Sequence, residues 1–296
     1  MNKTIHNSQY KKVLCIHDLS CIGRCSLTTA IPVLSSMGVE AVPLPTAIYS
    51  MHTGYEGFKV LDTSDFMSQT LKSWQNLDLK FDAIFSGFLK GTSQVEILKQ
   101  VLNTYKCLSV IDPAFSDDGE LYSGFDLEFV KKFREDIMPM AEILVPNIYE
   151  AMYLTDTPCT PPPYSIDFVE SLLRKLDNIA DYPGGYIIIK GIQLDNGEYG
   201  VAMIQTPLED FDPIFYDIHF FSQEHIKGNY SGAGDLWASI LVGNLVNNET
   251  GNYVYPENLK RAIINANKNT ALAIQNTKDS NLSIDFYNLT RSSNLI

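Results

Sequence analysis

Ser231-Gly232-Ala233-Gly234-Asp235-Leu236-Trp237-Ala238 is the stretch that decides how this chain is read. An apolar run follows at helical spacing (Leu236, Trp237, Ile240, Leu241, Leu245, Val246), which predicts a glycine-rich turn opening a helix. A glycine lets backbone N–H groups approach an anion with no Cβ in the way. The N-terminus of the helix adds its partial positive charge at the same spot. Asp235 can cap that helix, or take a proton from a hydroxyl held beside a phosphate. A tight turn with an aspartate cap is the plainer reading of so short a motif, so the rest of the chain has to decide between the two.

Outside this stretch, short apolar runs alternate with helix-period segments. Strands are predicted over Lys12–His17, Val39–Leu44 (closed by Pro43 and Pro45), Phe81–Ser86, Leu108–Asp112, Glu142–Val145 and Tyr186–Lys190. Helices are predicted over Ser26–Met37, Gln94–Tyr105, Phe125–Met138, Ile166–Ile179 and Glu257–Asn276. Val201–Ile204 and Ile214–Phe221 read as antiparallel strands, and Cys159–Pro163 as a proline-rich surface loop. Near-continuous apolar strands separated by helices predict an α/β fold, a parallel sheet covered on both faces. In such sheets ligands sit beyond the carboxyl ends of the strands. Here those ends carry His17-Asp18, Ser86-Gly87, Asp112-Pro113, Asn147 and Lys190-Gly191. No repeat or low-complexity segment interrupts the pattern, and a single domain over 1–296 is the simplest organisation.

The net charge of −13 argues against a nucleic acid partner, which needs a basic footprint. It allows ATP, held by a few local donors and a divalent metal. Cys15, Cys21, Cys25, Cys107 and Cys159 are odd in number and show no paired zinc spacing, so reduced thiols in a cytoplasmic protein are expected. The polar Met1–Tyr10 segment has no apolar h-region, which predicts no secretory signal. No apolar run reaches the ~18 residues of a membrane span, so no membrane partner is expected.

Four further features bear on chemistry. Asp112, at a strand tip, can hold Mg2+ through water near a triphosphate, or act with Asp117 and Asp118 in a turn. Asn147 and Glu150 have capping-box spacing, and Glu150 can alternatively enter a metal's water shell. Lys190 leaves a buried strand where it can meet a phosphate as a point charge, or be solvated. Asp18 and Ser20 can bond to polar atoms of a small ring, and Thr46–Gly57 reads as a mobile flap in which His52 and Tyr55 can touch that ring, or as a loop with no role.

Taken together, these residues resemble the ribokinase-like small-molecule kinases, in particular the pyridoxal/pyridoxamine kinases of vitamin B6 salvage, over roughly Val13–Thr270. The resemblance rests on His17-Asp18-Leu19-Ser20 with Gly23-Arg24-Cys25-Ser26-Leu27-Thr28, on Pro43-Leu44-Pro45-Thr46-Ala47 with Ser50 and His52-Thr53-Gly54, and on Phe81-Asp82-Ala83-Ile84. Asp112-Pro113, Pro146-Asn147 with Glu150, and Gly232-Ala233-Gly234-Asp235 follow in the family's order. It implies a ribokinase-like three-layer α/β/α sandwich, with a mostly parallel central sheet and helices on both faces. It also implies transfer of the ATP γ-phosphoryl group to the 5′-hydroxyl of pyridoxal, pyridoxamine or pyridoxine, with a flap at about 46–58 over the substrate. By position, Asp235 is the implied general base, and the amides of Gly232, Ala233 and Gly234 the anion hole. Asp18, Ser20, Thr46, His52 and Phe88 are implied for the substrate. Asp112, Val145, Asn147, Glu150 and Lys190 are implied for ATP, with Asp112 and Glu150 for the metal. The implied cofactors are ATP and Mg2+, with a monovalent cation such as K+ left open, and a homodimer is implied. Ala114-Phe115-Ser116 stands where relatives often have Val-Met-Gly, Cys21 where many have glycine, and Phe88 where many have tyrosine; Val145 replaces a hydroxyl residue. A hydroxymethylpyrimidine kinase of thiamine synthesis and a catalytically silent ligand-binding relative are the alternatives.

Overall fold

Six consecutive residues of β1 (Lys12–Ser20), from Val13 to Asp18, are buried. Successive strand residues point to opposite faces, so this strand is covered on both sides, as its uninterrupted apolar run predicts. The structure is a computed structural model that describes residues 10–207, 217–228, 230–248, 254–277 and 283–290. The chain divides into two compact units: Met1–Lys90 with Asn103–Leu108 and Ile226–Ile296, and Gly91–Leu102 with Ser109–His225.

The first unit begins with β1, α1 (Leu27–Ser36), β2 (Glu40–Tyr49), β3 (Val60–Asp62), α2 (Ser64–Trp74) and β4 (Ala83–Ser86). Its strands lie in the order β4-β1-β2-β3. β1 is parallel to both neighbours, and β3 is antiparallel at the edge. β2 runs on through Pro43 and Pro45, which the sequence pattern placed at its end. The Glu40 amide bonds to the Lys11 carbonyl on the β1 side, so the alternation turns the nitrogens of Pro43 and Pro45 away from β1. β3 pairs only with Ala47–Tyr49, so no ladder bond is missed where the prolines stand. β3 and α2 were absent from the sequence-based expectation. All three residues of β3 are exposed, and α2 buries only Met67 and Leu71.

The second unit holds most of α3 (Thr92–Thr104) and of β5 (Leu108–Ile111), then the hairpin β6 (Ser116–Asp117) and β7 (Glu120–Leu121) and α4 (Leu127–Asp136). β8 (Ile143–Leu144), α5 (Ile148–Leu154), α6 (Ile166–Ala180), β9 (Tyr186–Gln193), β10 (Tyr199–Gln205) and β11 (His219–Gln223) complete it. β5, β8 and β9 are parallel neighbours, and β10 and β11 follow antiparallel. The expected strand over Ile214–Phe221 corresponds to β11 only from His219; Ile214 to Tyr216 lie outside the described residues.

The chain then returns to the first unit with α7 (Ala233–Asn248) and α8 (Pro256–Asn276). Nearly every residue of α7 after Asp235 is buried. Trp237 donates its indole N–H to Asn267 of α8 at 2.7 Å, so its polar edge is satisfied inside the core. In each unit, parallel strands with antiparallel strands at one edge and helices between them make the α/β fold that the alternation predicts. Among the described residues no helix is long and apolar enough to cross a membrane.

Candidate functional site

Gly232 has φ +85, and a Cβ on it would lie 1.9 Å from the Arg24 carbonyl oxygen. Only glycine fits such an approach, and it seats the turn before α7 directly against the Arg24–Ser26 segment. The Leu236 amide bonds to the Gly232 carbonyl at 2.9 Å and starts the helix. The Ala233 amide donates to the Tyr230 carbonyl at 3.0 Å. Ala233, expected in the anion hole, uses its N–H within the turn.

Asp235 stands in the first turn of α7, half-buried, and its Oδ2 accepts the Ser26 amide at 2.8 Å. Asp18, at the tip of β1, is 6% exposed, and the Ser20 hydroxyl reaches its Oδ2 at 3.4 Å. Burial raises the Asp18 carboxyl above its ordinary range, against the pull of the Ser26 hydroxyl, its own amide and the Ser20 hydroxyl. Cys25 is pushed up to about 12, first by burial and then by the charges of Asp235 and Asp18. Its thiol is therefore protonated and poorly nucleophilic. The structure thus brings Asp18, Ser20 and Asp235 around the Cys25–Ser26 segment.

Thr46 has no solvent exposure, and its hydroxyl donates to the Phe88 carbonyl at 2.8 Å. It shapes the loop that carries Phe88. Phe88 packs edge-on against Tyr49 at 6.1 Å, and Tyr49 against Phe58 at 5.7 Å. Tyr49 was not singled out from the sequence. Burial, then the charges of Asp18 and Asp62, push its hydroxyl up to about 12. Thr46 to Tyr49 belong to β2, so the loop proper starts at Ser50. Ser50 and Lys59 close its neck with two bonds, amide to carbonyl at 2.9 Å and amide to hydroxyl at 2.8 Å. His52 donates its amide to the Ile22 carbonyl at 2.8 Å and accepts the Gly54 amide on Nδ1 at 3.1 Å. Burial lowers the imidazole pKa, which favours the neutral ring.

The second unit holds the other expected cluster. Asp112, 7% exposed beyond β5, pairs with Lys190 of β9 at 2.5 Å. Burial raises the Asp112 carboxyl and Lys190 pulls it back. Such a pair is strongly favourable only where both charges keep good partners. Glu150 is 1% exposed and forms a capping box with Asn147 at the start of α5. Its Oε1 accepts the Phe115 amide at 2.9 Å, and its Oε2 the Asn147 amide at 2.8 Å. Burial and the Asp112 charge push it up to about 8. Asn147 spends Oδ1 on the Tyr149 and Glu150 amides and Nδ2 on the Ser116 carbonyl. Glu150 and Asn147 therefore brace the Asp112–Ser116 loop, the structural alternative weighed for them above. The path of that loop is set by Phe115, fully buried against Phe129, Phe133 and Tyr153. Val145 is also fully buried, and its amide bonds to the Ile111 carbonyl at 2.8 Å.

A carboxylate in the first turn of α7, a buried acid at the tip of β1 and, in the second unit, a strand-tip ion pair stand on an α/β frame of the ribokinase-like kind. Residues 27–284 match the family described as phosphomethylpyrimidine kinase, and the chain belongs to that family. A Bacteroides thetaiotaomicron protein described as a phosphomethylpyrimidine kinase, in a crystal form with pyridoxal, superposes with a TM-score of 0.80. It is 29% identical over 95% of this chain and 94% of its own. The thiamine biosynthetic bifunctional enzyme TH1 of Arabidopsis thaliana is 28% identical over 72% of this chain, and the pyridoxal kinase of the same plant 29% identical over 49%. The matches span 38% and 48% of the lengths of those two relatives.

Replacing Glu150 with Ala leaves the Phe115 and Asn147 amides without their acceptors. The expected cost is about 2–6 kcal/mol of stability, from about 1–3 kcal/mol for each of the two orphaned donors. Glu150→Gln, which keeps one accepting oxygen, is expected to lose about half as much. Chemical denaturation of the three proteins measures both.

Proposed function

We propose that this chain transfers the γ-phosphoryl group of ATP to the 5′-hydroxymethyl oxygen of a B6 vitamer, pyridoxal, pyridoxamine or pyridoxine. The observation that carries this reading is the Asp235 carboxylate, held by a main-chain amide in the first turn of α7 directly after Gly232. Pyridoxal in the crystal of the Bacteroides relative supports the substrate class.

In this reading Asp235 takes the proton of the acceptor hydroxyl as its oxygen forms the new bond to phosphorus and the bond to the ADP leaving oxygen breaks. The Gly232 and Gly234 amides and the positive end of α7 gather the charge of the moving phosphoryl group. Asp18, raised by burial, offers an acidic proton or a carboxylate to a polar atom of the pyridine ring, beside Ser20. Phe88 and Tyr49 wall the ring. His52, neutral by burial, presents a hydrogen-bonding edge from the 50–58 loop. Lys190 meets the nucleotide's phosphates as a point charge.

Mg2+ fits the donors in the second unit as an ion carried in on the phosphates. A dedicated cage needs more ligands than are there, and among the described residues no group of three or more His, Cys, Asp and Glu gathers to hold a metal. Asp112 is the carboxylate suited to it, while Glu150 is committed to amides. When bound, such an ion neutralises phosphate charge. A homodimer in the cytosol belongs to this reading on the family resemblance alone.

The second reading is phosphorylation of hydroxymethylpyrimidine, favoured by the family description and by the thiamine-synthesis relative. Both acceptors are substituted nitrogen heterocycles with a hydroxymethyl group. A Mg·ATP assay over the three vitamers and hydroxymethylpyrimidine separates them. The vitamers are expected to turn over, and turnover of hydroxymethylpyrimidine alone overturns the first reading. Asp235→Asn is expected to lower kcat by about 10²–10⁴-fold while ATP binding is kept. Hydrogen exchange over residues 50–58 is expected to slow when pyridoxal and a non-hydrolysable ATP analogue are added together, and unchanged exchange removes the flap from the mechanism.

A further inference from the structure

Ser26 has φ +47 and ψ −126, a conformation that glycine adopts readily and an L side chain resists. It stands immediately before α1, where a serine hydroxyl ordinarily caps the helix, yet no such bond is made. Capping therefore does not account for the strain. What the strained peptide does is face two ways. The Ser26 carbonyl accepts the Thr29 and Ala30 amides at 3.1 and 2.8 Å and opens α1. The Ser26 amide turns out of that helix and meets Asp235 Oδ2 at 2.8 Å.

The surroundings hold this arrangement in place. Thr28 braces the turn ahead of it, its hydroxyl reaching the carbonyls of Gly23 at 3.0 Å and Cys25 at 2.7 Å. Arg24 donates to the Ser283 carbonyl at 2.5 Å and lies 5.5 Å over the Tyr287 ring. Gly232 presses against the Arg24 carbonyl from the other side. Sparsely populated backbone held by several independent contacts marks a residue with a task in a site.

We propose that Ser26 is a positioning residue for Asp235: its strained main chain aims one N–H at Oδ2 and so fixes the rotamer from which the other carboxylate oxygen meets the acceptor hydroxyl. The inference rests on the kinase reading above and adds to it the origin of the base's orientation. The Ser26 hydroxyl, which hydrogen-bonds Asp18, is a separate matter, and the two functions of one residue can be told apart.

The test uses the full chain with pyridoxal and Mg·ATP, comparing wild type, Asp235→Asn, Ser26→Val and Ser26→Gly. Valine is β-branched and opposes positive φ, so its amide leaves Asp235, whereas glycine keeps the conformation and loses only the hydroxyl. Ser26→Val is expected to lose about 100-fold in kcat with the KM for ATP little changed, the scale of a misplaced catalytic group. Ser26→Gly is expected to recover at least about ten-fold of that loss. Equal kcat for Ser26→Val and wild type, or an equal loss in both variants, overturns the proposal. Should Ser26→Val fail to fold, replacing the peptide N–H of residue 26 by an ester oxygen removes the donor alone. A kcat within about three-fold of wild type then overturns the proposal, and a loss of about ten-fold or more supports it. If wild type phosphorylates no vitamer, both this inference and the kinase reading fall. If Asp235→Asn is inactive while Ser26→Val matches wild type, only this inference falls.

Discussion

The hydrogen bond from the Ser26 amide to the Asp235 carboxylate, 2.8 Å long, joins a loop near the start of the chain to a helix near its end. A bond from a neutral donor to a charged acceptor contributes about 1.5–3 kcal/mol, and its value here lies as much in direction as in energy. It exists only because Gly232 lets the turn before α7 sit against the Arg24 carbonyl, closer than any side chain would allow. Asp18 reaches the same neighbourhood from the tip of β1, a strand buried on both faces and so unable to shift without disturbing the core. The precision with which Asp18, Ser26 and Asp235 are held follows from that rigidity.

The second unit meets a different physical demand. A buried carboxylate beside a buried ammonium is stable only while each has its partner, and Asp112 and Lys190 supply each other. The loop that presents Asp112 is fixed by groups that never need to touch a ligand. Phe115 anchors it in an aromatic cluster, and Glu150 with Asn147 ties its amides and a carbonyl to the start of α5. Charge is thereby held at a strand tip by a loop whose main chain is tied to the Glu150 and Asn147 side chains and anchored by one large apolar ring.

Much of this was legible in the sequence where burial is two-sided. β1, β5 and β9 read as strands because each holds an apolar run buried on both faces, Val13–Ile16, Val110-Ile111 and Tyr186–Ile189, and α8 read almost to the residue because its apolar period is regular. Asp235 was legible from the glycines before it and the helix after it. β3 and α2 were not, because an exposed three-residue edge and a helix with two buried residues leave little apolar signal. Pro43 and Pro45 suggested a strand end, since nothing local tells which side of a strand lacks a neighbour. Thr46 and Val145 sit at ligand positions by family pattern, yet their side chains point into protein, a fact that depends on pleat and packing. The backbone of Ser26 carried no signal at all, because a serine ahead of a helix looks like an ordinary cap.

The central claim is that Asp235 is aimed at an alcohol. A crystal structure of the chain with pyridoxal and a non-hydrolysable ATP analogue tests it most directly. The predicted result places an Asp235 carboxylate oxygen about 2.6–3.2 Å from the 5′-hydroxymethyl oxygen of the vitamer, with the Ser26 amide still on Oδ2. A vitamer bound with that hydroxymethyl group turned away from Asp235, toward solvent or toward Asp18, would contradict the account.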